Sequence, residues 1–394
     1  VSLSGAVSGT LYSWSNDNTA IGLSASGYGT IPAFTTVNAG TTAATATVTV
    51  TPYNVPTAGT AFATYQEGQT FTLTAPSGMV FTSVQFASYG NSTGTGPNFV
   101  VGSENAANSV AAMEQAALGN NTFSIAATDA NFPNNFGGSQ TLSAVLTYGA
   151  LANACPGTPQ SFTYTVNPVP VYANQTATTC SGTALSVTPT GTTVPAGTQF
   201  TWTVVDNPDV TGEAANATAA STFSANLVNT SNTAQTVVYT LTPIAGTCAG
   251  ASFTMTVTVD PTPSVTAQTA TICSATSFSV TPANGSGNIV PSGTTYSWSA
   301  PSVTGITGSA SGTSAAAISG TLVNTTNAPI DVTYTVTPTA GSCTGASFTV
   351  TVTVDPVPAI ANTTEAICSG ATFTTTPSNG TDIVPTGTPY TWTV

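Results

Sequence analysis

The sequence comprises 394 residues with a formal net charge of -13, and it contains no lysine, arginine or histidine. The absence of imidazole excludes a catalytic triad and a histidine-ligated zinc site, and the absence of cations excludes a phosphate clamp. The negative charge repels nucleic acid and anionic membranes, and no apolar run reaches the ~18 residues of a membrane span. We therefore expect no cofactor, no metal site, no nucleic-acid partner and no membrane insertion.

An internal repeat is marked by tryptophans that follow Tyr-x or Phe-x. Successive tryptophans are 188, 96 and 94 residues apart: Trp14, Trp202, Trp298 and Trp392. The distance from the tryptophan to the next cysteine is 46 and 45 residues in two repeats but 141 in the first. A fixed period of this length is typical of arrays of structural repeats. The first repeat therefore contains an inserted domain of its own length.

Strands with alternating polarity are predicted on both sides of the insertion and in the later repeats. Apolar residues alternate with threonine at 46–52 and 162–166, and the same pattern returns at 253–259 and 348–354. One apolar face and one hydroxyl face per strand is typical of a β-sandwich with a single core. Roughly seven short strands per repeat, with a tryptophan on the third, indicate an immunoglobulin-like sandwich. We predict a mainly β chain of tandem immunoglobulin-like β-sandwich repeats with an inserted small α+β domain.

The repeat landmarks predict five segments. Pro-x-Pro joints at 168–170, 261–263 and 356–358 favour extended, fairly stiff connections between repeats. The segments are the first repeat at 1–54 plus 149–168, lacking its N-terminal half; the insert at 55–148; the second repeat at 169–261; the third at 262–356; and the N-terminal half of a fourth at 357–394.

Three landmarks of the repeats carry a family resemblance. They are the Cys-Ser-Gly turn, the Tyr-x-Trp strand and the module end TVTVDPTP or TVTVDPVP. The repeats resemble the PKD-like and other immunoglobulin-like repeats of very long bacterial surface adhesins, notably of gliding Bacteroidota. The resemblance implies a secreted, extracellular protein on the bacterial cell surface, with a role in adhesion or gliding motility.

The six cysteines contain no C-x-x-C motif, which favours disulfides in an oxidising compartment. Two pairings remain open. One lies within repeats, Cys180–Cys248 and Cys273–Cys343, and leaves two cysteines without partners. The other joins neighbours across the joints: Cys155–Cys180, Cys248–Cys273 and Cys343–Cys368. The stiff joints favour the first pairing, because extended repeats would hold the neighbouring sulfurs apart.

The insert contains the one predicted helix. Residues 104–119 place Val110, Met113, Ala117 and Leu118 on one face, and Gly119 suits the helix end. Strand-like runs at 70–76, 80–90, 122–128 and 141–149 flank this helix. The insert occupies a turn between two strands of the first repeat, a position at which a guest domain leaves the host core intact.

The insert also resembles a family. The runs EGQTFTLTAPSGMVFTSVQFASYGNSTGTG, ENAANSVAAMEQAALGNNTFSIAAT and TLSAVLTY are similar, in this order, to the SUEL family of galactose- and rhamnose-binding lectins. The resemblance implies a lectin-like fold and sugar contacts from Glu67, Tyr89, Asp129 and Asn134. A carboxylate accepts bonds from vicinal hydroxyls, an amide both donates and accepts, and a tyrosine offers a ring edge and a hydroxyl.

The insert departs from the family pattern at several positions. Asn91 stands where the family has arginine, and Gln140 or Thr141 where it has lysine. The family's disulfide cysteines are replaced throughout, at Gln66, Ala75, Gly96, Glu104, Ala117, Phe123 and Phe136. A branch without bridges would depend on packing for its stability.

Two functional hypotheses follow from this organisation. The leading one is a secreted surface adhesin or adhesive fibre, in which an immunoglobulin-like stalk presents a carbohydrate-binding domain for galactose- or rhamnose-type glycans. The alternative is a structural extracellular filament, with copies of itself as partners, whose lectin-like insert is a decoration or a subunit contact. No carboxylate pair has a spacing that favours glycoside hydrolysis, so we expect no enzymatic activity.

Overall fold

The computed structural model describes residue 3 and residues 9–134 and 136–393. Their architecture is mainly β with tandem immunoglobulin-like repeats, as the sequence predicts. The chain divides into two compact units at residues 169 and 170. No helix in the described part of the chain is long and apolar enough to cross a bilayer.

The first unit contains twelve strands and one α-helix among its described residues. In chain order they are β1 (Leu11–Asn16), β2 (Ser26–Tyr28), β3 (Ala44–Asn54), β4 (Gly59–Gln66), β5 (Thr70–Thr74), β6 (Val80–Gly90), β7 (Thr93–Thr95), β8 (Asn98–Val100), α1 (Ser109–Ala117), β9 (Thr122–Ala126), β10 (Thr141–Gly149), β11 (Cys155–Pro156) and β12 (Gln160–Val166).

The strands of the first repeat form a sheet in the order β11-β3-β1-β2, in which β12 also pairs with β3. The insert forms its own sheets, β4-β10-β6, β5-β9 and β7-β8. Asn54 at the end of β3 pairs directly with Cys155. In the later repeats, Ala245 pairs with Cys248 and Ala340 with Cys343 across a two-residue turn. Residues 55–154 therefore take the place of that turn.

The second unit contains the second and third repeats. The second repeat comprises β13 (Val171–Tyr172), β14 (Gln175–Cys180), β15 (Ala184–Val187), β16 (Gly191–Thr193), β17 (Gln199–Val205), β18 (Val210–Thr211), β19 (Asn216–Ala220), β20 (Phe223–Asn226), β21 (Val228–Asn229), β22 (Gln235–Ala245), β23 (Cys248–Ala249) and β24 (Phe253–Asp260). The third comprises β25 (Gln268–Cys273), β26 (Ser277–Val280), β27 (Thr295–Trp298), β28 (Ile306–Thr307), β29 (Gly312–Ala315), β30 (Ile318–Thr321), β31 (Val323–Asn324), β32 (Ile330–Ala340), β33 (Cys343–Thr344) and β34 (Phe348–Asp355).

The two repeats of the second unit share one topology. The larger sheet has the order β14-β24-β22-β17-β19 in the second repeat and β25-β34-β32-β27-β29 in the third, and β15-β20 and β26-β30 form separate two-stranded sheets. Every second side chain of β24 is buried, namely Phe253, Met255, Val257 and Val259. Each such burial stabilises the fold by about 1.5–3 kcal/mol, so the predicted alternation produces the core.

The tryptophans mark the core of each of the first three repeats. Trp14, Trp202 and Trp298 are at most 8% exposed, whereas Trp392 is 83% exposed. The indole N–H of Trp202 donates to the carbonyl of Ala214 at 3.2 Å, and that of Trp298 donates to Ala310 at 3.0 Å. The described residues of 357–393 form only isolated bridges, such as Ala359 with Ile383.

The helix is shorter than predicted. It begins at Ser109, because the backbone of residues 104–106 pairs with the end of β6 instead. The Asn91 N–H donates to Glu104 O at 3.1 Å, and the Ala106 N–H donates to Tyr89 O at 2.9 Å. The predicted face is wrong at Val110, which is 43% exposed, whereas Met113, Ala117 and Leu118 are buried as expected. Gly119 follows the helix with a φ of 78°, as its predicted place requires.

Neither predicted disulfide pairing forms. Cys180 pairs with Cys343 across the joint between the second and third repeats, with a Cα–Cα distance of 5.6 Å. Cys155, Cys248, Cys273 and Cys368 are unpaired, and all six cysteines lie in the described part of the chain.

The strand register explains why the within-repeat pairing is wrong. Cys180 lies beside Asp260 at the end of β24, whereas Cys248 lies before the start of β24. The eight residues of β24 span ~26 Å at ~3.3 Å per residue, far beyond the ~7 Å Cα separation that a disulfide tolerates. Cys273 and Cys343 are separated in the same way along β34.

Candidate functional site

The insert brings the ends of three strands together at one edge of its sheet. Thr141, the first residue of β10, pairs with Gln66 at the end of β4 and with Gly90 at the end of β6. Glu67 and Tyr89 flank these positions, so antiparallel pairing places them close together although they are 22 residues apart in sequence. This edge is where the four predicted sugar-binding residues lie.

Tyr89 forms the buried floor of the site. Its side chain is fully buried, and its ring stacks on Phe132 with centroids 5.0 Å apart. Its backbone N–H donates to Ser109 Oγ at 3.0 Å, which ties β6 to the helix. Its hydroxyl donates to Asp129 Oδ1 at 3.3 Å. The ring is therefore inaccessible, and Tyr89 acts through its hydroxyl by positioning the carboxylate of Asp129.

Asp129 and Asn134 belong to the loop between β9 and β10. Asn134 Nδ2 donates to Asp129 Oδ1 at 2.8 Å, the same oxygen that accepts the Tyr89 hydroxyl. The oxygen of this amide, Asn134 Oδ1, accepts from the Phe136 N–H at 2.9 Å. Asp129 is exposed and Asn134 is half-buried. The loop thus holds one exposed carboxylate in a defined orientation.

Glu67 lies at the turn after β4 and is exposed. Its N–H donates to Gln140 O at 2.8 Å, and its Oε2 accepts from the Gln140 N–H at 3.1 Å. Gln140 is 3% exposed, and its Oε1 is a buried acceptor with no hydrogen-bond partner among the described residues. In the sequence, Gln140 stood out only as one of two residues at the position of a family lysine. Its unpartnered amide oxygen could not be predicted, because it depends on how the loop folds.

The surroundings of Tyr89 raise the pKa of its hydroxyl. Burial, followed by the negative charges of Glu67 and Asp129, raises the pKa of Tyr89 to about 12. The phenol therefore remains a neutral donor over the physiological range. Two carboxylates and one amide suit a neutral polyhydroxylated ligand, whose hydroxyls donate to carboxylates. No group of three acidic, cysteine or histidine side chains that could hold a metal occurs among the described residues.

Two departures from the lectin family pattern have clear structural roles. Asn91 accepts from the Glu104 N–H at 2.9 Å and donates to Ser103 Oγ at 3.0 Å, and so fastens the loop before the helix. Ala75, Ala117 and Phe123, at positions of family cysteines, are buried in the core of the insert. Phe123 contacts the rings of two further core phenylalanines. The three positions, at which the resemblance implies cysteines, are thus filled by core packing.

Comparisons with known proteins bear on the repeats. A model described as "PKD-like domain" matches residues 177–263 and 270–358. No curated protein matches the chain in sequence.

Three solved structures are among those similar to this chain. "Crystal structure of DIP-gamma IG1+IG2" is 10% identical, covering 48% of this chain and 98% of that chain with a TM-score of 0.25. "I-band fragment I67-I69 from titin" is 10% identical, covering 81% and 94% with a TM-score of 0.23. Mouse cadherin-23 EC22-24 is 12% identical, covering 54% and 80% with a TM-score of 0.18.

The matched segments coincide with the second and third repeats of the structure, each with the sheet order described above. Disulfides such as Cys180–Cys343 are typical of proteins in oxidising, extracellular environments. The second and third repeats are therefore immunoglobulin-like sandwiches that are similar to PKD-like domains.

Proposed function

We propose that this chain is part of an extracellular bacterial surface adhesin, in which immunoglobulin-like repeats form a stalk and the insert binds glycans of the galactose or rhamnose type. The observation that carries the proposal is the convergence of Glu67, Tyr89, Asp129 and Asn134. These residues were selected from sequence alone, and their backbone or side-chain bonds meet at one edge of one sheet.

The chemistry of the site supports a neutral sugar as the ligand. Glu67 and Asp129 are exposed acceptors to which sugar hydroxyls can donate. An anionic ligand is disfavoured, because the chain contains no cation to offset these carboxylates.

The test is calorimetric titration of the full chain with L-rhamnose and D-galactose. We expect saturable binding of one sugar, weakened at least tenfold by Asp129→Ala and by Glu67→Ala. Glu365→Gln is the control, because it removes an exposed carboxylate outside the insert and should leave affinity unchanged. Absence of binding to a folded chain would overturn the proposal.

A structural filament is a second candidate because the insert exposes apolar side chains. Phe62 is 45% exposed, Val100 60% and Val101 50%, and Phe62 contacts Phe99 with ring centroids 6.5 Å apart. A neighbouring subunit could cover this patch. In that case sedimentation of the chain would show self-association that Phe62→Ser abolishes, and sugars would have no effect on it.

A further inference from the structure

Each repeat of the second unit has its two cysteines at opposite poles. Cys248 lies at the pole where the chain enters the second repeat, because Gly250 packs against Pro170 at the entry. Cys180 lies at the pole where the chain leaves, beside Asp260. In the third repeat Gly345 packs against Pro263 in the same way, so Cys343 lies at the entry pole.

The disulfide therefore joins the exit pole of one repeat to the entry pole of the next. It runs alongside the Asp260–Pro263 connection, and Thr262 Oγ1 in that connection donates to Ser181 O at 3.0 Å. The joint between the two repeats is thus crossed by two covalent connections, the main chain and the disulfide.

Two unpaired cysteines occupy equivalent positions. Cys273 pairs in register with Asp355 as Cys180 does with Asp260. Cys248 pairs with Ala245 as Cys343 does with Ala340. Cys273 is exposed and Cys248 is half-buried. We propose that Cys180–Cys343 is one example of a general cross-link between successive repeats, and that Cys248 and Cys273 are halves of two more such links, completed by cysteines of further copies of the repeat.

Formation of each link is a two-electron oxidation. Two thiols lose two protons and two electrons to a disulfide oxidant, which is released as two thiols, and one S–S bond forms between the repeats. Oxidised glutathione supplies this oxidant in the experiments below.

The cross-link changes how the array carries tension. A pull between the start of the second repeat and the end of the third passes through β14, the disulfide and β34. The chain between Cys180 and Cys343 is bypassed, although it forms most of both sandwiches. The interior of both repeats is therefore shielded from extension while the disulfide is intact.

Counting reactive thiols separates the possible pairings. After oxidation with glutathione and alkylation of the unfolded chain, the cross-repeat link leaves four reactive cysteines, the four that are unpaired in the structure. The within-repeat pairing would leave two, and the neighbour pairing none. Peptide mapping requires cleavage at carboxylates or aromatic residues, because the chain has no lysine or arginine. Two or no reactive thiols would overturn the proposal.

A lengthened chain tests the general rule. It consists of residues 1–356 followed by a second copy of 262–356, and it contains seven cysteines. The rule predicts a new link between Cys273 and the copied Cys343, which leaves three reactive thiols. Five reactive thiols, with Cys180–Cys343 as the one disulfide, would show that the link is confined to one joint and would overturn the rule.

Single-molecule stretching of the full chain tests the bypass. The cysteines of the link are 163 residues apart, so the disulfide hides roughly 55 nm of extended chain at ~3.4 Å per residue. We expect reduction, or Cys180→Ser with Cys343→Ser, to increase the total extension by this amount. Cys273→Ser is the matched control and should not change it. Equal extension before and after reduction would overturn the bypass.

Discussion

At the residue scale, an asparagine that was not predicted from the sequence ties two backbone segments together in each repeat, and it is buried in the second and third repeats. Asn229 Nδ2 donates to Val259 O at 2.8 Å and to Thr233 O at 2.7 Å. Asn324 repeats these bonds with Val354 and Ala328, and Asn38 repeats them with Val166 and Thr42. The shared Val-Asn dipeptide was visible in the sequence, but short polar turns carry no periodic signal.

Replacing one of these asparagines should destabilise its repeat. Asn324→Ala leaves the buried carbonyl of Val354 without its donor, and an unsatisfied buried group costs about 1–3 kcal/mol. Chemical denaturation should therefore show a lower midpoint for the third repeat. Asn327→Ala, an exposed change in the same turn, is the control and should have little effect. An unchanged midpoint in Asn324→Ala would contradict the proposed role in tying the two segments together.

The raised pKa of Tyr89 predicts how the stability of the folded chain changes at alkaline pH. Its pKa is about 12 in the folded chain, against 10.0 for an ordinary tyrosine. Because the folded pKa is the higher one, the stabilisation is complete below pH 10 and is lost as the pH rises from 10 through about 12.

A spectrophotometric titration compares the wild type with Tyr89→Phe. The difference between the two curves isolates the Tyr89 phenolate, which should appear near pH 12 while the chain remains folded. Tyr53→Phe, in a strand of the first repeat, serves as a control for the loss of one phenol. A difference centred near pH 10 in a folded chain would contradict the burial of Tyr89 beside the two carboxylates.

The sequence predicted which residues form the candidate site, but it did not predict which of their atoms are exposed. A family resemblance predicted four residues and expected Tyr89 to offer a ring edge and a hydroxyl, but the ring is fully buried and stacks on Phe132. It also could not predict the unmatched acceptor of Gln140, since burial of one amide oxygen depends on how residues 136–140 fold back on β4. Patterns of residue type can predict which side chains lie close together. The exposure of individual atoms can be determined only from the folded structure of the loop.

At the element scale, alternating strands were predicted well and the helix less well. β6 and β10 have the predicted bounds of 80–90 and 141–149. The helix lost its first turn because backbone pairing with β6 satisfied residues 104–106 better than an isolated helical turn would. The end of the helix packs on the first repeat, where Leu118 joins a cluster with Leu11 and Val55.

The contact between the helix and the first repeat includes a half-buried carboxylate. Burial raises the pKa of Glu114, and the bond from Thr30 Oγ1 at 3.4 Å offsets this only in part. A raised folded pKa means that stability is greatest at acidic pH and falls as the pH rises through the raised value. The ionised form therefore lowers stability at neutral pH.

Glu114→Gln should relieve this cost. We expect a higher melting temperature of the first unit at pH 7, and a smaller gain under acidic conditions where Glu114 is already protonated. Glu104→Gln removes the same charge away from the contact with the first repeat and is the control. Equal melting temperatures of Glu114→Gln and the wild type at pH 7 would contradict the inferred cost.

At the scale of the whole molecule, the repeat length was predictable and the disulfide connectivity was not. Counting residues between tryptophans and cysteines identified the repeats, but counting cannot show which pole of a sandwich a cysteine occupies. That information comes from the parallel pairing of β14 with β24, which places Cys180 beside Asp260. Neither sequence-based pairing took into account which pole each cysteine occupies.

The disulfide should also couple the stabilities of two repeats. Chain-entropy arguments for a loop of 163 residues give a stabilisation of up to about 5 kcal/mol, because the cross-link restricts the unfolded chain. We expect Cys180→Ser with Cys343→Ser to lower the denaturation midpoint of the second and third repeats together, by an amount that reduction of the wild type reproduces. Cys273→Ser removes an exposed, unpaired thiol and should leave both midpoints unchanged. If the double variant destabilised only the third repeat, the loss would instead reflect local packing at Cys343, which is 1% exposed, rather than a link across the joint.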